Sequence, residues 1–453
     1  MWQLEFDRGT IRLAGLSDTS SVPPACRWDD RTQTFRAEAH HYRRIVEDLV
    51  RREVPYQDGV RDWPKVPWRR SFERDAFDHQ REALEAWIRS GGRGCVELPT
   101  GSGKSFVGVL AIEKIQRASL VVVPTLDLMQ QWASDLALMF GTEVGVIGGG
   151  EYEVRDLTVT TYASAHLHVD RLGNRFGLVI FDECHHLPGP SYSQAALGAA
   201  APFRLGLTAT IERQDGQEAQ LETLIGPLVY RRDITELAGL FLSEYETIRL
   251  YVELEGDDAA AYLRERSIYR DFAAREGISL GGPRGWREFL AATNRSEEGR
   301  RAFRAYQEQR RLALAAPAKL ELLEQLLEQH AGDRSLILPN DNDTVYEIST
   351  RYLGPAGTHQ TKLAERKEII QRFREGEYRT LVTAKVLNEG VDIPEANVAI
   401  VLSGSGTVRE HVQRLGRILR RRAGKMARLY EIVTRGTGEE YTSEKRRSHR
   451  AYQ

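Results

Sequence analysis

With 453 residues, 41% hydrophobic and 28% charged, the chain has an ordinary globular composition but is too long for one core, so roughly two to four domains are expected. No apolar run of roughly 18 residues and no leader pattern is present, so neither a membrane span nor a secretory signal is expected. Cys26, Cys95 and Cys184 lie too far apart for a disulfide framework or a C-x-x-C zinc site, and a reducing cytoplasmic setting is expected.

The net charge of −2 conceals two basic zones, with 12 Arg against 7 acids over 264–311 and 13 Lys/Arg against 5 acids over 409–453. Such zones on an acidic background suit tracking of a polyanion, and equally suit solvated helix faces.

Residues 1–70 predict a small α+β module. WQLEFDRGTIRLAGL alternates apolar and polar residues about a D-R-G-T turn, the pattern of a hairpin. A second hairpin is expected around CRWDDRTQTFRA, then a helix at 40–52, then a proline-bearing linker, VPYQDGVRDWPKVPW. Over 71–240 the apolar segments GCVEL, SLVVVP, LTVTTY, GLVIFDE and RLGLTAT alternate with helical patterns, which implies a parallel sheet covered on both faces. An Arg-rich helical segment lies within 241–315. A second α/β alternation fills 316–453, with SLILP, RTLVTA and VAIVLS as its strands.

LPTGSGKS at 98–105 joins a predicted strand to a predicted helix. A glycine-rich turn there leaves backbone N–H groups facing a concavity that suits phosphates. Lys104 would reach the β- and γ-phosphates and Ser105 would bind Mg²⁺; the strict template has glycine where this chain has Leu98. Downstream, VIFDECHH ends a strand in Asp182 and Glu183, at the carboxyl edge where open α/β sheets bind ligands. Asp182 suits Mg²⁺ through water, and Glu183 suits orienting the attacking water. The neighbouring Cys184, His185 and His186 are too crowded to converge on one tetrahedral zinc ion. In QRLGRILRR, Gln413, Arg417 and Arg420 share one helix face and suit charge developing on a transferring phosphoryl group.

The ordered set LPTGSGKS, VVVPTLDLMQQW, VTTYASA, FDECHH, LGLTAT, VLNEGVDIPEAN and QRLGRILRR resembles superfamily 2 helicases over roughly residues 75–435. With the N-terminal module and the Arg-rich insert, it resembles the XPB family in particular, and its compact archaeal-type members. The resemblance implies two RecA-like parallel-sheet lobes, with a small N-terminal α+β module (1–70) like a DNA-damage-recognition domain and a thumb-like helical insert (241–315). It implies an ATP-dependent 3′–5′ DNA helicase or duplex translocase of nucleotide excision repair and transcription initiation. ATP and Mg²⁺ are the implied cofactors.

Residue by residue, the resemblance assigns Leu98, Pro99, Thr100, Gly101, Ser102, Gly103, Lys104 and Ser105 to the phosphate loop, with Gln80 beside the base and Gly390 and Asp392 facing the nucleotide. Lys104, Asp182, Glu183, Gln413, Arg417 and Arg420 carry the chemistry, with Ser105 and Asp182 on the metal. Thr208 and Thr210 link nucleotide state to lobe movement. Pro124, Thr125, Thr160, Thr161, Arg213, Asp215, Arg264, Arg266 and Arg270 are the implied DNA contacts. Trp2, Trp28 and Phe35 are candidate base-stacking residues, although alternating aromatics are more often core. The implied partners are single-stranded and duplex DNA and a repair nuclease or transcription-factor assembly, for a monomer or heterodimer at the nucleoid or, in a eukaryote, the nucleus.

Three departures bear on function. AFDHQ (76–80) keeps Gln80 but replaces two residues of the family's adenine-reading segment. Arg213, Gln214 and Asp215 carry one acid fewer than the family's Arg-Glu-Asp. LILPNDND (336–343) lacks the aromatic or basic residues of a fourth motif. The motifs also admit an RNA-directed helicase, since backbone tracking does not distinguish the polymers. A nucleotide-gated DNA-binding scaffold with negligible hydrolysis is the alternative outside the motors; Glu183 argues against it.

Overall fold

The computed structural model describes residues 1–15, 21–213, 215–237, 244–280, 284–339, 341–352, 354–358, 361–383, 396–402 and 426–447. The chain divides after Leu237 into two compact units.

In the first unit, β1 (Trp2–Asp7) and β2 (Thr10–Ala14) form an antiparallel hairpin that sets Leu4 opposite Leu13 and Phe6 opposite Ile11. β3 (Arg27–Asp29) and β4 (Thr34–Glu38) form the second hairpin. Helix α1 (Tyr42–Arg51) buries Ile45 and Leu49 in the same core as Trp2, Leu4, Ile11 and Leu13. The segment 54–68, expected to be a linker, is instead built into the fold. Its β5 (Tyr56–Gly59) pairs in parallel with β1, and Trp68 donates its indole N–H to the Arg117 carbonyl at 2.7 Å. Its prolines sit where only a carbonyl is needed: Pro55 accepts from Trp2 N and Pro64 from Ala118 N.

Eight further strands follow: β6 (Arg93–Glu97), β7 (Ser119–Val123), β8 (Gly145–Gly148), β9 (Glu151–Tyr152), β10 (Leu157–Thr161), β11 (Leu178–Asp182), β12 (Phe203–Thr208) and β13 (Leu228–Arg231). Their order is β13-β6-β12-β11-β7-β10-β8-β9, parallel throughout except β8 with β9. Every residue of β7, β10 and β11 is buried, because helices cover both faces. Those helices are α2 (Asp78–Arg89), α3 (Lys104–Ile115), α4 (Leu126–Phe140), α5 (Tyr162–Leu172), α6 (Ser193–Leu197), α7 (Gln220–Leu224) and α8 (Ile234–Leu237). The chain leaves β6 and returns as β7 beyond β12 and β11. Such a reversal of strand order opens a crevice at the carboxyl edge.

The second unit carries a fully parallel sheet of β14 (Glu244–Val252), β15 (Ser335–Leu338), β16 (Ala356–Gly357), β17 (Thr380–Thr383), β18 (Val398–Val401) and β19 (Met426–Thr434), in the order β14-β19-β18-β15-β17-β16. The Arg-rich segment forms α9 (Gly256–Arg275), α10 (Gly285–Thr293) and α11 (Glu297–Leu314), cored by Phe272, Phe289 and Ala302. It is tied to the end of β19 and beyond: Thr434 Oγ1 donates to the Ala313 carbonyl at 2.6 Å, and Gly438 N donates to Tyr262 Oη at 3.0 Å. Helices α12 (Pro317–Gln329), α13 (Asn342–Tyr352), α14 (Leu363–Glu375) and α15 (Gly438–Arg447) complete the unit. No helix among the described residues is long and apolar enough to cross a membrane.

Candidate active site

The loop after β6 is held from three sides. Leu98 is fully buried and its N–H donates to the Thr208 carbonyl at 3.0 Å, continuing the β6–β12 pairing; a side chain at this first loop position belongs to the core. Ser102 closes the turn, its hydroxyl donating to the Pro99 carbonyl at 2.7 Å. Gly101 and Gly103 adopt φ of 87° and 77°, and a Cβ at Gly103 would lie 2.5 Å from Gln80 Nε2. Gln80 donates from Nε2 to the carbonyls of Ser102 and Gly103, 3.1 Å each, and accepts from Phe77 N at 3.0 Å. The His79 ring adds a 2.9 Å hydrogen bond to the Ser102 carbonyl. Residues 77–80 thus brace the loop directly.

Register places Asp182 beside Leu207 and Thr208 beside Glu97, so the loops after β6, β11 and β12 share one edge. There Lys104, first residue of α3, donates Nζ to Glu183 Oε1 at 2.6 Å, with both groups buried. Glu183 has a left-handed φ of 47°, a conformation that costs a non-glycine residue about 1–2 kcal/mol and marks a constrained carboxylate. Asp182 accepts from its neighbour's N–H at 2.9 Å and from the Trp132 indole at 2.8 Å. Burial raises its pKa above the ordinary carboxylate range, the Lys104 charge works against that rise, and Glu183 adds to it.

From Glu183 a polar chain runs outward. His185 Nδ1 lies 3.5 Å from Glu183 Oε2 and 3.0 Å from Thr208 Oγ1. Thr208 donates to the Thr210 carbonyl at 2.8 Å and accepts from Thr210 N at 3.2 Å. The His185 carbonyl accepts from Arg213, whose guanidinium pairs with Asp215 at 2.6 Å and holds that carboxyl down at about 2. His185, too crowded beside Cys184 and His186 to share a zinc ion with them, instead joins Glu183 to Thr208.

Of the remaining candidates, Pro124 and Thr125 stand half-exposed at the start of α4, where Thr125 Oγ1 caps Leu128 N at 3.3 Å. Thr161 caps α5 through Ser164 N at 3.2 Å, while Thr160 is fully buried with its hydroxyl committed to the Ile147 carbonyl at 2.9 Å. Arg264 and Arg270 are exposed on α9, and Arg266 reaches Tyr262 Oη at 3.2 Å. In the N-terminal module Trp2 is core, whereas Trp28 is 48% exposed and packs edge-on against Phe35. Gly390, Asp392, Gln413, Arg417 and Arg420 lie outside the described residues, as does Gln214.

Elsewhere, Glu38, His40 and His41 bring ligand atoms within 4.8 Å of one another, the one such group among the described residues. Burial first, then the nearby Arg204, pushes His40 down to about 3, and the same guanidinium opposes a bound cation.

Residues 4–60 match the profile of the xeroderma pigmentosum group B helicase damage recognition domain, and 300–453 that of the ERCC3/RAD25/XPB C-terminal helicase. Residues 74–213, which hold the site above, match the type III restriction enzyme res subunit. A DNA 3′–5′ translocase XPB2 of Sulfurisphaera tokodaii is 38% identical over 96% of this chain and 98% of its own. The chain belongs to the XPB family. Other XPB relatives are longer: the DNA 3′–5′ helicase XPB of Kineococcus radiotolerans is 31% identical, with 82% of this chain covering 62% of it. The transcription and DNA repair factor IIH subunit XPB/SSL2 of Saccharomyces cerevisiae is 25% identical, with 78% covering 41%. The helicase domain of Pyrococcus furiosus Hef overlays 81% of the XPB-family chain with a TM-score of 0.50 at 16% identity, a likeness of fold.

Proposed function

We propose that the chain is an ATP-dependent 3′–5′ DNA helicase or duplex translocase acting in nucleotide excision repair. The observation that carries this reading is the meeting of Lys104 and Glu183 beside a braced phosphate loop, in a chain aligned nearly end to end with a named DNA translocase. A scaffold that only binds nucleotide has no use for a constrained carboxylate at this edge.

The phosphates of ATP would lie on the N–H groups of residues 101–105, at the positive end of α3. Lys104 then exchanges Glu183 for the β- and γ-phosphates. Glu183, released, accepts a hydrogen bond from the attacking water and aligns it with the γ-phosphorus. The hydroxyl of Ser105 and the carboxylate of Asp182 form a hard oxygen donor set that fits Mg²⁺. Mg²⁺, when bound, neutralises phosphate charge. Gln413, Arg417 and Arg420 are assigned to the charge that develops on the γ-phosphoryl group, with Gly390 and Asp392 beside the nucleotide. Arginines in this role are worth ~10³–10⁵ in rate.

The polar chain from Glu183 through His185 to Thr208, with Arg213 on the His185 carbonyl, supports coupling of nucleotide state to the nucleic-acid face. Pro124, Thr125, Thr161 and the α9 arginines are assigned to DNA phosphates, which bind without reading sequence. A nuclease or transcription-factor assembly is the proposed partner of a monomer or heterodimer working at the nucleoid or nucleus.

The test is ATP turnover with no nucleic acid, with DNA and with RNA, beside unwinding of a 3′-tailed duplex. Stimulation by DNA and its loss in Lys104→Ala are expected. Equal rates with and without DNA would overturn the motor, and preferential stimulation by RNA would move the reading to an RNA-directed helicase.

A further inference from the structure

Trp132, the last residue of VVVPTLDLMQQW, touches both the carboxylate after β11 and the phosphate-loop helix α3. It is 2% exposed, seven residues into α4 from the Thr125 cap, so both lie on one helix face about 10 Å apart along the axis. Its Nε1 donates to Asp182 Oδ2 at 2.8 Å. An indole N–H is a donor only, and the other Asp182 oxygen is held by Glu183 N, so the two bonds fix the plane of the carboxylate. The far edge of the indole rests on α3: a Cβ on Gly108 would come within 2.9 Å of Trp132 Cη2, with Ile180 and Leu207 next nearest. Position 108 has no side chain, and the ring occupies that space.

We infer that Trp132 is a positioning residue through which contact of a nucleic-acid phosphate with the start of α4 reorients Asp182. The inference rests on the proposed function, which puts DNA at Pro124 and Thr125 and Mg²⁺ at Asp182. Helix α4 is continuous from Leu126, next to the Thr125 cap, to Phe140, so a shift of its first turn moves Trp132 with it. The close-packed contact at Gly108 leaves no slack for the ring to absorb that shift. The movement reaches the carboxylate through the N–H bond and the phosphate-loop helix through the ring.

Trp132→Phe keeps an aromatic ring and deletes the donor; Gly108→Ala keeps the donor and presses the ring from α3. Both should lower the ratio of DNA-stimulated to basal ATP turnover about fivefold or more. Trp132→Phe should also weaken Mn²⁺ binding to the protein–ADP complex about tenfold, measured by electron paramagnetic resonance of the free ion. In a ¹⁵N–¹H spectrum of the wild type, the indole signal that vanishes in Trp132→Phe should shift when duplex DNA is added without nucleotide. A wild-type stimulation ratio in both variants, with a static indole signal, overturns the inference while leaving the motor intact. A wild-type enzyme indifferent to DNA overturns the functional reading instead.

Discussion

Lys104 and Glu183 are joined by a buried 2.6 Å ion pair. Each group is therefore held by the other in place of the partner that its proposed role requires. In those roles, arrival of a triphosphate would break one buried charge pair and form another, so the cost of desolvating the ammonium would be met largely in advance. Glu183→Gln keeps an acceptor for Lys104 but removes the opposing charge. It should tighten ATP binding several-fold while lowering single-turnover hydrolysis by ~10²–10⁴, the usual worth of a general base. Equilibrium titration with a fluorescent ATP analogue and single-turnover kinetics read the two effects separately. Weaker binding in this variant would mean that the pair does not restrain the lysine.

Asp182 gives the site a pH dependence of definite sign. Burial, its largest influence, raises the pKa to about 6 from an ordinary 3.8. In the proposed role the ionised form is the metal ligand, so Mg²⁺ affinity should be full above the raised pKa and fall as pH drops through it. The Mg²⁺ half-saturation for ATP turnover should be flat from pH 8 to about 7 and rise toward tenfold per unit below about 6. Stability of the nucleotide-free protein runs the other way through this group. The native state retains a proton that the unfolded chain has released, so the contribution favours folding as pH falls from neutrality through that window. A half-saturation constant unchanged down to pH 5 would remove Asp182 from the metal.

The alternation of buried strands and amphipathic helices, and the loop and carboxylates at strand ends, were legible because each depends on local sequence. Periodicity sets the covered faces, and glycines at 101 and 103 permit the positive φ of the loop. The segment 54–68 reads as a linker because three prolines outweigh a four-residue strand in any local reading; only pairing with β1, more than fifty residues earlier, fixes it. The same holds for Trp132 and His185. A tryptophan on the apolar face of α4 reads as core, and nothing nearby in sequence announces a carboxylate fifty positions on. Thr160 differs in the opposite sense. Its place in a motif suggests a phosphate contact, but β10 is covered on both faces and its hydroxyl serves the Ile147 carbonyl.

Gly103 and Gln80 meet at the entry to α3. At φ 77°, with Gln80 Nε2 2.5 Å from the position of an added Cβ, Gly103→Ala incurs both backbone strain and a collision. A left-handed alanine alone costs about 1–2 kcal/mol, which corresponds to roughly five- to thirtyfold in nucleotide affinity. Gln80→Ala has a different signature. Both N–H groups of the amide already serve the Ser102 and Gly103 carbonyls, so its loss loosens the phosphate loop whatever base is attached. ATP and GTP should weaken by similar factors in calorimetric titrations. A loss confined to ATP would show that the amide leaves the loop to read adenine.

The helical insert offers a test in which the arginines separate by their surroundings. Arg264 and Arg270 are exposed on α9, whereas Arg266 is half-buried and bonds to Tyr262 Oη at 3.2 Å and the Gly436 carbonyl at 3.4 Å. If α9 grips phosphates, Arg264→Ala and Arg270→Ala should each lower the slope of log affinity for duplex DNA against log salt by about 0.9, since each releases one counterion fewer. Basal ATP turnover should be unaffected by either. Arg266→Ala should reduce the melting temperature as well, because it also loses a contact linking α9 to the segment after β19. Anisotropy titrations of a labelled duplex at several salt concentrations supply the slopes. Parallel lines for wild type and both exposed-site variants would identify α9 as a solvated face rather than a grip.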